Sequence, residues 1–125
     1  MLVDSHCHLD RLDLDHFKKT LPQLLEEARQ QGILHFLCVA IDLEHFPQVL
    51  AIAEQFPDVS ASVGIHPTET FYREEMHVAD LVTRARHPKV VAIGETGLDY
   101  YRDHTPETKK YSNFGFANTS KRRLR

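Results

Sequence analysis

Ile33-Leu34-His35-Phe36-Leu37-Cys38-Val39-Ala40-Ile41 decides how this chain is built. Apart from His35 the run is continuously apolar and of strand length, as a strand buried on both faces of a parallel sheet requires. Gly32 stops whatever precedes it, and Asp42 caps whatever follows. Upstream, Leu14, Phe17, Leu21, Leu24, Leu25 and Ala28 fall at helical spacing. They predict a helix over 14–31, with Pro22 an interior irregularity that divides or kinks it. Downstream, 43–56 reads as a second helix, with Pro47 near its first turn, where a missing N–H costs little. VSASVGI at 59–65 and VVAI at 90–93 predict two further strands. Between them, 73–87 carries Met76, Val78, Leu81, Val82 and Ala85 among charges, the pattern of a helix lying on a sheet. Met1-Leu2-Val3 opens a short buried strand. Strands that alternate with helices and never meet in a hairpin imply right-handed crossovers, hence an α/β fold with a parallel sheet.

Composition narrows the classes. A chain of 125 residues with 42% apolar content and few glycines can bury a core as one domain. Its apolar runs are short and interrupted by charge, and no basic leader precedes a long hydrophobic stretch, so neither a membrane span nor a signal peptide is expected. Cys7 and Cys38 both lie in strand-like runs, which fits reduced, buried thiols and a cytoplasmic location. A net charge of -3 leaves no electrostatic footprint for nonspecific nucleic-acid binding. A phosphate-bearing substrate would have to be held locally, for instance by metal.

Ligands of parallel α/β sheets sit at the carboxyl ends of the strands, so the residues after each apolar run matter most. The first strand passes into Asp4-Ser5-His6-Cys7-His8, and alternation places Asp4, His6 and His8 on one face. Two imidazoles about 7 Å apart along a strand can bend onto one ion. The third strand ends in Gly64-Ile65-His66-Pro67, the fourth in Gly94-Glu95-Thr96-Gly97-Leu98-Asp99-Tyr100-Tyr101. Glu95 can add oxygen to two histidine nitrogens, which makes His6, His8 and Glu95 the expected metal ligands. His66 and Asp99 are expected to contact a substrate phosphate or orient the ligands. The alternatives are that His66 merely ends its strand and that Asp99 satisfies a turn. Asp4 either buttresses an imidazole N–H or hydrogen-bonds backbone. Tyr100 and Tyr101 offer either base stacking or loop packing. His16, His35, His45, His77, His87 and His104 show no partner pattern and read as surface or packing residues.

VDSHCHLD at 3–10, VGIHP at 63–67 and AIGETGLDYYRDHTPE at 92–107 together resemble the TatD family of metal-dependent hydrolases and deoxyribonucleases. The resemblance covers residues 1–110. It implies roughly the first half of a TIM-like (β/α)8 barrel that binds two divalent ions, with His6 and His8 on one ion and Glu95 bridging both. Mg, Mn, Zn and Ni all suit such ligands. It further implies phosphodiester hydrolysis of DNA or a small phosphate ester, since two cations can activate a shared water and stabilise charge on the phosphoryl group. A different His-x-His hydrolase, such as an amidohydrolase, fits the GETGLDYY segment less well.

Residues 111–125 show neither helical spacing nor strand alternation. Their possible codons, shifted by two bases, permit a string resembling the family's next helix. The expectation is therefore an out-of-frame, poorly ordered tail on a truncated barrel. Half a barrel leaves unpaired strand edges, so self-association is expected. The rival to an active hydrolase is an inactive remnant or a weak mononuclear metal-binding fragment.

Overall fold

In the computed structural model, residues 1–69, 77–97 and 99 are described. Tyr100, Tyr101, His104, the expected tail over 111–125 and the first residues of the helix expected over 73–87 lie outside them.

Four strands form one parallel sheet in the order β1-β2-β3-β4: β1 is Leu2–Cys7, β2 Ile33–Cys38, β3 Val59–Val63 and β4 Val90–Ile93. The α/β parallel architecture read from the sequence is therefore present. Between the strands run α1 (Leu14–Phe17), α2 (Leu21–Gln30), α3 (Phe46–Gln55) and α4 (Val78–Ala85), and a 3-10 turn at Leu9–Arg11 follows β1. The helix expected over 14–31 is divided, at Lys18–Thr20 rather than at Pro22. Asp13 caps α1 by accepting the His16 N–H at 2.9 Å, and Lys18, in the left-handed region at φ 50°, ends it. Thr20 then starts α2, its N–H donating to Gln23 Oε1 at 2.9 Å, and Pro22 sits in the first turn rather than the interior.

The core lies between the sheet and its helices: Leu25, Phe36, Cys38, Phe46, Val49, Ala53, Val59, Ala61, Val63 and Leu81 are all buried. Every residue of β3 is buried, as an inner strand demands. The first strand differs from expectation. Leu2 and Val3 are 62% and 61% exposed, because β1 is outermost and pairs on one side only. Val91 and Ile93, on the opposite outer strand, are likewise exposed. Among the described residues no helix is long and apolar enough to cross a membrane.

The β1–β2 register carries an irregularity that shapes the site. Asp4 pairs with Phe36 and Cys7 with Cys38, so β1 takes three steps where β2 takes two. That extra residue is a bulge. The strict alternation expected to align Asp4 with His6 does not run through it.

Candidate metal centre

His6 lies in the bulged stretch of β1 and His8 just beyond the strand end. Their rings stand edge-on, with centroids 5.2 Å apart and planes at 83°. His8 Nδ1 is 2.9 Å from the Val39 carbonyl oxygen. A carbonyl can only accept, so Nδ1 carries the proton, and the Nε2 lone pair of a neutral His8 is free to ligate. That nitrogen lies 3.7 Å from Glu95 Oε2, and His6 Nε2 lies 3.4 Å from the same oxygen.

Glu95 arrives from the other side of the sheet by backbone bonding. The Gly94 N–H donates to the Val63 carbonyl at 2.9 Å, and the Glu95 N–H to the Ala40 carbonyl at 3.0 Å. The approach needs a glycine at 64, since a Cβ there would lie 2.5 Å from the Gly94 carbonyl carbon and 2.9 Å from the Glu95 nitrogen. His66 enters beside it, its N–H donating to the Ile41 carbonyl at 2.7 Å. The Thr68 N–H donates to His66 Nδ1 at 3.2 Å, which leaves His66 Nε2 as the protonated nitrogen, 3.6 Å from Glu95 Oε1. One carboxylate thus faces two imidazoles through one oxygen and a third through the other.

The ligand atoms of His6, His8 and Glu95 all lie within 4.8 Å of one another. This donor set fits a divalent cation. Two imidazole nitrogens and one carboxylate oxygen suit zinc, manganese or nickel, and the Val39 carbonyl on the remote nitrogen of His8 supplies the outer hydrogen bond that metal-ligating histidines use. A neutral His8 turns a lone pair toward a carboxylate oxygen, a pairing of two acceptors that a cation between them resolves.

Of the other expected site residues, His66 joins the group through Glu95, whereas Asp4 turns to backbone, Oδ1 accepting the His6 N–H at 3.2 Å. Asp99 is half-buried on the segment after Glu95 and is not in the converging set. Burial, with the nearby Asp4 carboxylate, pushes the pKa of the Cys7 thiol up to about 12, and burial pushes that of Cys38 up to about 11.

The end of β2 held residues that sequence reasoning passed over. Asp42, 2% exposed, does not cap α3, whose N-cap is His45; it accepts the His45 N–H at 2.7 Å in the turn before the helix and lies 2.8 Å from His45 Nδ1 and 3.4 Å from Arg11 Nη2. His45, read as a surface or packing residue, has a buried partner. Arg11 also meets the buried Asp10, Nε to Oδ2 at 3.6 Å, and lines a cavity of about 370 Å³ with His8, Ile41, His66, Thr68, Glu69 and Glu95. Asp10 and Arg11 follow the His-x-His pair after Leu9, a signal available in the sequence; the Asp42 partner, 31 residues away, was not.

Comparison with known proteins places the chain in a family. The family model described as TatD related DNase matches residues 3–116. The uncharacterised metal-dependent hydrolase YcfH of Escherichia coli K12 is 40% identical over 108 residues, covering 86% of this chain and 39% of that protein. The 3'-5' ssDNA/RNA exonuclease TatD of Edwardsiella piscicida is 33% identical over 99 residues, covering 78% and 38%. Among solved structures, the TatD homologue YjjV of Escherichia coli K12 superposes with a TM-score of 0.79 at 28% identity, covering 95% of this chain and 45% of that one. The chain spans about two fifths of the length of the curated relatives it matches.

Proposed function

Because the chain belongs to the family of TatD related DNases, we propose that it carries the His6–His8–Glu95 part of a metal-dependent phosphodiesterase acting on DNA ends or related phosphate esters. The observation that carries this reading is the convergence of two imidazole nitrogens on one oxygen of Glu95. The name of the Edwardsiella relative supports nucleic acid as the substrate class. A divalent ion bound there would supply the charge that acidifies water and stabilises a phosphoryl group in transfer. The chain's own residues do the holding. His6 and His8 would grip the ion, His8 in the tautomer that Val39 selects. Glu95 would be the catalytic carboxylate, oriented by the N–H of His66. Asp4 ties down the bulge that presents His6, and Asp99 follows at the same rim. The two free thiols, Cys38 buried and Cys7 half-buried, support a cytoplasmic setting.

A second reading rests on the same cluster. Among the described residues the converging set offers ligands for one ion, which suits a mononuclear metal-binding fragment without turnover. Cleavage of a short DNA after addition of Mg²⁺, Mn²⁺ or Zn²⁺, with Glu95→Ala as control, separates the two. Metal-dependent cleavage abolished in the variant is expected. Metal uptake without cleavage in the unsubstituted chain would leave the second reading standing.

A further inference from the structure

We infer that Arg11 is the anion-binding residue of this site, holding a phosphate oxygen of the substrate against the cavity wall that it shares with His8, His66 and Glu95. The inference rests on the phosphodiesterase reading for the identity of the anion, and on geometry for the residue. Arg11 ends the 3-10 turn that directly follows His8. Its Nε faces Asp10 and its Nη2 faces Asp42, and both carboxylates are buried, 7% and 2% exposed. These contacts use the Nε–Nη2 edge of the guanidinium. Nη1 has no acceptor among the described residues, and the side chain remains 42% exposed.

Two buried carboxylates on one edge of a guanidinium do more than neutralise it. They remove the rotamer freedom that an exposed arginine otherwise loses on binding, so the free end is already oriented. Among the described residues that line the cavity, Arg11 is the permanently cationic one, and the carboxylates there are Glu69 and Glu95. A phosphodiester carries negative charge into that acid-rich space. An ion at His6, His8 and Glu95 would meet one side of it, and the planar guanidinium suits a tetrahedral oxyanion on the other. Asp10 and Asp42 act through Arg11 and are positioning residues.

The test is calorimetric titration of a thymidine dinucleotide phosphodiester into the Mn²⁺-loaded chain, with Mn²⁺ affinity measured separately, for the unsubstituted chain, Arg11→Ala and Arg11→Lys. Arg11→Ala is expected to keep Mn²⁺ affinity and to weaken dinucleotide binding by about 10- to 100-fold, the worth of one charge-assisted hydrogen bond. Arg11→Lys keeps the charge beside Asp10 and Asp42 but lacks the planar fork, and is expected to recover only part of the loss. It stands in should Arg11→Ala fail to fold. Dinucleotide affinity unchanged in either folded variant overturns the inference. Should the unsubstituted chain take up no Mn²⁺, Zn²⁺ replaces it in the titration, and uptake of neither makes the phosphodiesterase reading fail by itself. Inorganic phosphate titrated into the metal-free chain then decides Arg11 alone: binding lost in the variants upholds it, and equal or absent binding overturns it.

Discussion

Two carboxylates stand at strand ends on the same rim of this sheet and live in opposite worlds. Asp42, beyond the inner strand β2, is 2% exposed, and the groups around it are donors: the His45 N–H and the guanidinium of Arg11. Glu95, beyond the outer strand β4, keeps 29% of its side chain exposed and faces three imidazoles, of which His8 turns a lone pair toward it. A buried carboxylate surrounded by donors is already satisfied and serves structure. One that faces a nitrogen lone pair from an open position still has coordination to offer, and that contrast separates the scaffold from the proposed chemistry.

The harshest way to break the comparison is Gly64→Ala. The new Cβ would meet the Gly94–Glu95 backbone rather than a flexible side-chain tip. A stability loss of about 1–3 kcal/mol by chemical denaturation is expected, together with loss of metal uptake, because Glu95 must move. Unchanged metal affinity would show that the close approach of β3 and β4 is not what sets the carboxylate. Asp42→Asn tests the other member. It keeps the shape and an acceptor, so a stability loss of about 1 kcal/mol by chemical denaturation is expected, with metal affinity unchanged. A large drop in metal affinity would make Asp42 part of the centre. The smallest effect concerns position in the sheet. Val91 and Ile93 are 63% and 40% exposed on β4, and such an outer strand favours association of chains. Sizing chromatography is expected to show a concentration-dependent shift above the monomer, reduced by Val91→Lys; a monomer at all concentrations would remove the difference between inner and outer rim as a driving force.

Periodicity and spacing read most of this from the sequence. The apolar runs of β2, β3 and β4 and the helical spacing between them made a parallel sheet legible, and His6, His8 and Glu95 stood out because ligand-type residues followed those runs. Three things escaped for one physical reason, dependence on distant partners. The bulge in β1 exists only in its register with β2. The His8 tautomer is chosen by a carbonyl 31 residues away. Asp42 looked like a helix cap, but its bond to the His45 N–H closes a turn ahead of α3, and its ion pair with Arg11 needs the folded rim.

The apolar run from Ile33 to Ile41 ends in three consecutive carbonyls, and each takes one hydrogen bond from the site. Val39 accepts from the His8 ring, Ala40 from the Glu95 amide and Ile41 from the His66 amide. Those three residues come from three different strand ends, yet a single stretch of main chain sets their spacing like the teeth of a comb. Side-chain replacement at 39, 40 or 41 leaves the oxygens where they are. Deleting one residue from the stretch would displace the whole comb by one strand step, about 3.3 Å, and misalign all three at once. The centre is thus tolerant of what the run is made of and intolerant of how long it is.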